Sequence, residues 1–249
     1  MSQDDRPSLL PAAAVVLPAL SRRLPSWGRQ VLLIAGKDLS IELSTGEIVT
    51  TSGFFAILVA VIASLAFYSG AEAGVRVAPG VIWVAVAFSA VLSLSRTWQR
   101  ERDEGALLGL LITPTARSAI FAGKAIGVAV FVTLVEIIVV PVTALLFSVD
   151  LTKMGLGLVL LSVAATPGIA AVGTLFGVMT VRTRARDLVL ASVLFPLLAP
   201  SLLAAVAGTR ELLGGAPLGE MVDYVELMGV FAAVFIAGGL GLFDLLIES

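Results

Sequence analysis

The residue types that carry most protein chemistry are absent from this sequence or isolated within it. The chain of 249 residues contains no cysteine and no histidine, which excludes disulfides, thiol chemistry, histidine catalysis and the common zinc sites. A phosphate-cradling loop needs a glycine five residues before its Gly-Lys pair. Neither Gly36-Lys37 nor Gly123-Lys124 has one. The sequence also lacks paired carboxylates, so we expect neither ATP binding by this route nor an enzyme.

The densest group of charged side chains lies between residues 96 and 114, which read RTWQRERDEGALLGLLITP. A mixed-charge run turns abruptly into a leucine-rich stretch that Pro114 ends. Arg100 and Glu104 are spaced to pair along one face of a helix. Such a helix, charged at one end and apolar at the other, either lies on lipid or docks into a groove of a partner. From the residues alone, the position on lipid is favoured.

One carboxylate, Glu136, lies deep within a long apolar stretch. An ionised carboxylate is costly there, so Glu136 is expected to be protonated, paired or facing water. Lys124 is twelve residues away, roughly 18 Å of helical rise at about 1.5 Å per residue, and we expect it to extend to the membrane interface instead. Glu136 therefore needs a partner from another span or another subunit, and it would act as a gate, a substrate contact or a subunit contact. The alternative, favoured equally, is that Glu136 is a protonated side chain hydrogen-bonded to a threonine or to a backbone carbonyl.

The composition indicates what kind of structure positions these residues, because 58% of the chain is hydrophobic and 14% is charged. Soluble domains contain roughly 25% charged residues, so lipid is the expected solvent of this chain. Six apolar stretches are each near the length of about 20 residues that crosses a bilayer. They are 51–70, 78–98, 119–148, 155–181, 188–207 and 226–246. The predicted fold is an all-α integral membrane protein with a bundle of six transmembrane helices.

The bundle is expected to form one domain at residues 27–249, after an N-terminal extension at 1–26. Residues 27–47 resemble an amphipathic interfacial helix with Trp27 as its anchor. Its apolar stripe is predicted at helical spacing, at Leu32, Ala35, Leu39 and Leu43. Gly123 with Gly127, and Gly173 with Gly177, are spaced for close helix packing. Four prolines within the spans each free a backbone carbonyl, so we expect them to face protein or a cavity and not lipid. They are Pro141, Pro167, Pro196 and Pro200.

The distribution of positive charge predicts the orientation of the chain. Thirteen of the sixteen Lys and Arg residues fall in the N-terminal segment, in the second connection with its flanks, or in the fourth connection. Cytoplasmic loops carry the positive excess. Both termini are therefore expected in the cytoplasm.

Several segments in the same order resemble the CcmB family, the ABC-2-type permease subunits of the haem exporter in c-type cytochrome maturation. The matching segments run from residue 37 to residue 200 and cover most of the chain. They are KDLSIEL (37–43), APGVIWV (78–84), RERDEGA (100–106), RSAIFAGK (117–124), TP (166–167) and FPLLAP (195–200).

The resemblance implies a membrane subunit of the bacterial inner membrane that moves when a separate ATPase subunit hydrolyses ATP. Residues 99–118, here called the coupling segment, would receive that motion. The implied contact residues are Arg100, Glu101, Arg102, Glu104, Gly105, Leu107, Leu111 and Pro114. The implied partners are a CcmA-like ATPase, which would bind the ATP, CcmC-like and CcmD-like membrane subunits, and a CcmE-like haem chaperone.

Two roles are open within this family. Haem crosses the membrane as the transported substrate, or ATP hydrolysis releases the haem-loaded chaperone. The lack of histidine slightly favours release, because haem iron is commonly held by histidine. Outside the family, the alternatives are an ABC-2 permease for a drug or a lipid-linked polymer, and a secondary transporter or channel. A secondary transporter would show several intramembrane charges and related halves, which the sequence lacks.

Overall fold

The computed structural model describes residues 25–67, 70–103, 105–180 and 186–248, and all regular structure in these ranges is helical. A short 3₁₀ turn, Leu218–Met221, precedes the last of eight α-helices. The α-helices are α1 (Trp27–Thr45), α2 (Glu47–Ala66), α3 (Ala71–Asp103), α4 (Ala106–Ile112), α5 (Arg117–Leu146), α6 (Leu151–Thr180), α7 (Arg186–Leu213) and α8 (Val222–Glu248). The predicted extension lies outside the described residues up to residue 24.

Six of these helices, α2, α3 and α5–α8, are long and apolar enough to cross a membrane, which confirms the predicted fold class. In α3 and α6, 67% and 56% of the most apolar 18-residue stretch is buried, so these two helices form the centre of the bundle. The corresponding shares are 28% in α2 and 17% in α8, which lie at the periphery. The chain is therefore a multi-pass membrane protein.

Several helices extend beyond the predicted apolar stretches. The helix α3 continues without a break from the second span to Asp103, and α7 continues to Leu213. The hydrophobic stretch reveals only the part of a helix that lies in hydrocarbon. Polar ends can continue the same hydrogen-bond ladder into the interface. The first residues of the coupling segment are therefore a rigid extension of a span.

The N-terminal helix α1 packs against the bundle through a face that matches the predicted one only in part. Val31, Ile34, Ala35, Asp38 and Glu42 are buried. The predicted apolar stripe included Leu32 and Leu43, which are 69% and 88% exposed. The bundle provides partners for the carboxylates of Asp38 and Glu42, so the helix face that carries them is turned inward. Apolar side chains on the opposite face are then left to contact lipid or another protein.

A sharp corner joins α1 to α2. Gly46 has φ of 62°, a left-handed conformation that glycine adopts without a Cβ clash. One oxygen of Glu42 accepts a hydrogen bond of 2.8 Å from the backbone N–H of Val49 in the first turn of α2. The carboxylate thus satisfies a helix N-terminus that would lack a partner. The corner fixes the position of α1 relative to the first span.

The predicted small-residue pairs lie at close helix crossings. A Cβ at Gly173 would collide with the Leu94 side chain, and a Cβ at Gly177 would collide with the indole of Trp98. In the other pair, Gly123 lies against Ile34, and Gly127 lies against Asp38. The first pair therefore brings α3 onto α6, whereas the second brings α1 onto α5.

Polar side chains connect the spans within the bundle. The hydroxyls of Ser52 in α2 and Ser93 in α3 are 3.0 Å apart and buried. The indole N–H of Trp83 donates to the Thr209 hydroxyl at 2.9 Å, which joins α3 to α7. Such bonds are each worth about 1 kcal/mol in membrane proteins. They add direction to the packing of apolar surfaces.

Three of the four span prolines are not covered by other parts of this chain. Pro141, Pro196 and Pro200 are exposed, and only Pro167 is half-buried. All four lie inside helices that continue past them. Local adjustment of the ladder lets a transmembrane helix tolerate proline, and the apolar ring itself can face outward.

Candidate functional site

The coupling segment forms a bent helical hairpin between α3 and α5. At the bend, Gly105 has φ of 63°, the left-handed region in which a side chain is strained. The short helix α4 follows, and the Thr113 hydroxyl donates to the Leu110 carbonyl at 2.7 Å near its end. Thr113 then adopts an extended conformation, as a residue before proline prefers. The chain enters α5 directly afterwards.

The predicted contact residues are dispersed over this hairpin. Arg100 donates to Glu47 at the start of α2 across 3.2 Å, and Arg102 pairs with its neighbour Asp103 at 3.1 Å. Pro114 is exposed. Glu104, with its expected pairing to Arg100, lies outside the described residues. The side chains of Leu107 and Leu111, both in α4, also lie outside what the structure describes.

Glu101 points into the protein, whereas Arg102 and Pro114 are exposed. It is 4% exposed, and its Oε1 accepts a hydrogen bond of 2.7 Å from the Lys37 ammonium. The same oxygen accepts a bond from the ammonium of Lys124. The resemblance implied a contact with a partner, yet the side chain ties α3 to α1 and α5.

Lys124 does not extend to the membrane interface, which corrects the expectation from the sequence. Its side chain is 1% exposed, and its ammonium donates to both oxygens of Asp38, at 3.0 Å and 2.8 Å. Glu101 completes the set. We call Lys37, Asp38, Glu101 and Lys124 the charge cluster. A buried lysine without acceptors would be far more costly than one extended to water.

The local sequence explains how Asp38 reaches Lys124. Gly127 leaves room beside the Asp38 carboxylate, which a Cβ would approach to 3.6 Å. Gly123 admits Ile34 one turn earlier on α1. Asp38 therefore lies on the same face of α1 as Ile34. The glycine pair that flanks Lys124 is the one signal in the sequence that indicates a helix packed at this point.

The charge cluster is balanced, with two ammonium groups and two carboxylates. Burial disfavours the charge of Lys37, but the hydrogen bond and the charge of Glu101, with a contribution from Asp38, raise its pKa above the usual 10.5. Lys37 therefore stays protonated throughout the physiological range. One oxygen of Glu101, Oε2, is buried without a hydrogen-bond partner. Direct ion pairs hold the cluster together.

A groove of about 350 Å³ lies between α1 and the hairpin, next to the charge cluster. Its lining is largely apolar and includes Leu33, Ile34, Leu110 and Pro114. Lys37 also lines it. The groove has the apolar character of a surface that binds a helix or a lipid chain.

Further bonds hold the start of α1 against the start of α5. The Gln30 side chain accepts a bond of 2.9 Å from the backbone N–H of Ala116. The indole of Trp27 donates to the Ser118 hydroxyl at 3.1 Å, so the predicted interfacial anchor is half exposed and also bonded. At the same end of the bundle, Arg117 lies 3.7 Å from Asp244 in α8. The described starts of α1 and α5 and the end of α8 therefore share one end of the bundle.

The deep carboxylate Glu136 contacts another span, as one of the sequence interpretations requires. It is 5% exposed, and its Oε1 accepts a hydrogen bond of 3.0 Å from the Thr166 hydroxyl in α6. Pro141, the third intramembrane candidate, lies further along α5 on its exposed side. Lys124 belongs to the charge cluster. The three candidates therefore do not form one site.

Comparison with known proteins gives a consistent result. The model of the CcmB protein family matches residues 29–238. A protein of Haemophilus influenzae named heme exporter protein B is 27% identical over 208 residues, which cover 81% of this chain and 94% of that protein. Heme exporter protein B of Bradyrhizobium diazoefficiens is 24% identical over 179 residues, covering 72% and 80%. That of Paracoccus denitrificans is 28% identical over 169 residues, covering 67% and 76%.

The matched region includes α1, the charge cluster, the hairpin and most of the six membrane-capable helices. The chain belongs to the CcmB protein family.

Proposed function

We propose that this chain is the membrane permease subunit of a haem exporter complex. The observation that carries the proposal is the family match over residues 29–238, together with relatives named heme exporter protein B along most of their length. The bundle of six membrane-capable helices agrees with a permease. In this role the chain has no catalytic site of its own, and the energy comes from ATP hydrolysis in a partner.

The partner ATPase is expected to bind at the end of the bundle that carries the coupling segment. The α4 helix presents Ile112, which is 86% exposed, next to the groove lined by Leu33 and Leu110. An exposed apolar side chain beside an apolar groove supports docking of a partner. The positive charge around this end supports a cytoplasmic position, where ATP is available.

The geometry supports transmission of motion from this end into the membrane. α3 is one continuous helix from the centre of the bundle to Asp103, and α5 begins shortly after α4. A push on the hairpin therefore acts on both helices at once. Since packed interiors deform little and tend to have discrete arrangements, such a push changes the packing of spans and not merely the shape of a loop.

The cargo step is proposed to act on haem, either by moving it or by releasing a haem-loaded chaperone. Membrane partners similar to CcmC and CcmD, and a chaperone similar to CcmE, complete the proposed complex. The lack of histidine and cysteine in this chain supports a role in which it does not ligate haem iron through those side chains.

Deletion of the chain in its own bacterium tests this proposal. Covalently bound haem in c-type cytochromes, measured by haem staining and normalised to the apoproteins, should fall at least tenfold and return on complementation. Total membrane haem and b-type cytochromes serve as controls and should be unchanged. Normal covalent haem in the deletion strain would overturn the assignment to haem delivery.

A further inference from the structure

The charge cluster closes the base of the coupling hairpin. Glu101, near the end of α3, and Lys124, in the first turns of α5, are 23 residues apart in the sequence and form a direct ion pair. The hairpin with α4 lies between them. This ion pair therefore joins the two helices through which the hairpin can act on the membrane bundle.

The same cluster also attaches α1, which is not part of the hairpin. Asp38 lies 86 residues before Lys124 in the sequence, and both of its oxygens accept bonds from that lysine. Lys37 adds a second connection, because its ammonium lies 2.7 Å from Glu101 Oε1. Three separate elements therefore meet at four charged side chains.

The balance of charges indicates positioning and not ligand binding. Both lysines donate to carboxylates of the cluster. The two ammonium groups and the two carboxylates of the cluster give it no net charge. Apolar side chains of the same volume would hold three helices together as well or better. Ion pairs with defined geometry instead fix the positions of the three helices relative to one another, because their interaction energy is lost when one partner moves.

Lys37 connects this cluster to the surface. Its side chain is 37% exposed, and it lines the groove between α1 and the hairpin while its ammonium bonds to Glu101. A protein that occupies the groove would contact the stem of Lys37. Binding of a protein in the groove and movement of the hairpin would therefore both act on the charge cluster.

We infer that Lys124 is a positioning residue whose ion pairs with Asp38 and Glu101 hold α1, the end of α3 and the start of α5 as one rigid unit. Movement of the hairpin is then passed to all three elements together. This inference rests on the proposed function, which supplies the movement. It goes further by naming the side chains that transmit it.

The test separates charge balance from positioning. The variant Lys124→Met leaves two buried carboxylates with only Lys37 as a partner. The double variant Asp38→Asn/Lys124→Met removes one charge of each sign and keeps the pair of Lys37 with Glu101. Thr133→Val, an exposed position further along α5, is the matched control.

Distances within the full chain report the rigid unit directly. The chain has no native cysteine, so spin labels on Leu33→Cys and Ile112→Cys mark α1 and α4 in lipid nanodiscs. Both positions are exposed. A second labelled pair, Leu160→Cys and Leu227→Cys, marks exposed positions of α6 and α8 outside the cluster. Pulsed electron resonance gives the width of each distance distribution.

The double variant is expected in the membrane at the level of the unsubstituted chain, because its buried charges balance. Its α1–α4 distribution should be at least twice as wide, with the α6–α8 distribution unchanged. Covalent haem in c-type cytochromes should fall at least fivefold, with ATP hydrolysis by the complex retained. Lys124→Met should show the same changes with reduced membrane levels, and Thr133→Val none of them.

Three outcomes would overturn the inference. The first is a narrow α1–α4 distribution in the double variant, and the second is a wide distribution with full haem delivery. The third is loss of the double variant from the membrane, which would assign the cluster to folding. Failure of the proposed function has a different signature, namely normal covalent haem when the whole chain is deleted, and the distance measurement is independent of it.

Discussion

At the residue scale, Gly105 is the position in the coupling segment where backbone conformation decides the outcome. It has φ of 63°, and a Cβ added there would meet no atom within 4 Å, so strain and not collision is the cost of substitution. We expect Gly105→Ala to cost about 1–2 kcal/mol in the native bend and to re-aim α4. Covalent haem in c-type cytochromes should fall severalfold at normal membrane levels of the chain.

The neighbouring Gly109 provides the matched control for this prediction. It lies inside α4 with open space around it, and alanine favours a helix over glycine by about 1 kcal/mol. Gly109→Ala should therefore leave covalent haem unchanged. Equal haem levels in the Gly105 and Gly109 variants would show that the bend is not needed for coupling.

A second prediction at this scale concerns Glu136. Glu136→Gln keeps an oxygen that accepts the bond from Thr166, whereas Glu136→Leu leaves that buried hydroxyl without its partner. An unsatisfied buried group costs about 1–3 kcal/mol. The Leu variant should show a lower thermal unfolding temperature in detergent, and the Gln variant should remain near the unsubstituted chain.

The two possible roles of Glu136 give different results in this pair. Normal stability of Glu136→Gln combined with lost haem delivery would indicate that the ionisable group itself is needed. Normal stability and delivery would indicate a structural hydrogen bond between α5 and α6. A Gln variant as unstable as the Leu variant would contradict the role of the Thr166 bond.

The sequence predicted which residues are unusual at this scale, but not their partners. Glu136 was predicted to need a partner from another span, and Thr166 is such a partner. Lys124 was expected at the interface because its nearest acid along α5 is out of reach. Its actual acceptors, Asp38 and Glu101, belong to other elements. Proximity of this kind depends on tertiary packing, which no spacing along one helix reveals.

At the scale of elements, the crossing of α3 and α6 depends on two glycines. A Cβ at Gly177 would overlap the indole of the buried Trp98. Gly177→Ala should therefore force the helices apart or Trp98 off its rotamer, at a cost of about 1–3 kcal/mol. The measurement is the thermal unfolding temperature of the purified chain in detergent.

Gly155 is the control on the same helix, because a Cβ added there would meet no atom within 4 Å. Gly155→Ala should leave the unfolding temperature unchanged or raise it. Combining Gly177→Ala with Trp98→Leu should recover part of the loss, since the overlapping ring is removed. An unfolding temperature of Gly177→Ala equal to that of Gly155→Ala would contradict the close crossing.

Most elements could be predicted from the sequence because a bilayer imposes a minimum apolar length on each span. All six predicted spans correspond to membrane-capable helices. The orientation of α1 could not be predicted in the same way. Asp38 and Glu42 of this helix are buried, whereas Leu32 is exposed. The two carboxylates can be buried because Lys124 and the start of α2 provide their partners.

At the scale of the whole molecule, the two ends of the six-helix bundle carry different elements. One end carries α1, the charge cluster and the hairpin. The other carries the 3₁₀ turn with exposed Glu220 and the start of α8 with exposed Asp223. If positive charge sets the orientation, an impermeant maleimide added to intact spheroplasts should label Glu220→Cys but not Asp103→Cys. Inverted membrane vesicles should give the opposite pattern, and labelling of Asp103→Cys in spheroplasts would contradict the topology.

We propose that α4 and the groove beside it receive the partner ATPase. A photo-crosslinking amino acid at Ile112, incorporated into the intact complex, probes this contact. We expect a crosslink to the ATPase subunit whose yield changes when ATP is replaced by a non-hydrolysable analogue. The same probe at Leu227, near the opposite end, should give none. An intact complex in which Ile112 yields no crosslink to the ATPase, or in which Leu227 does, would rule out docking of the ATPase at α4.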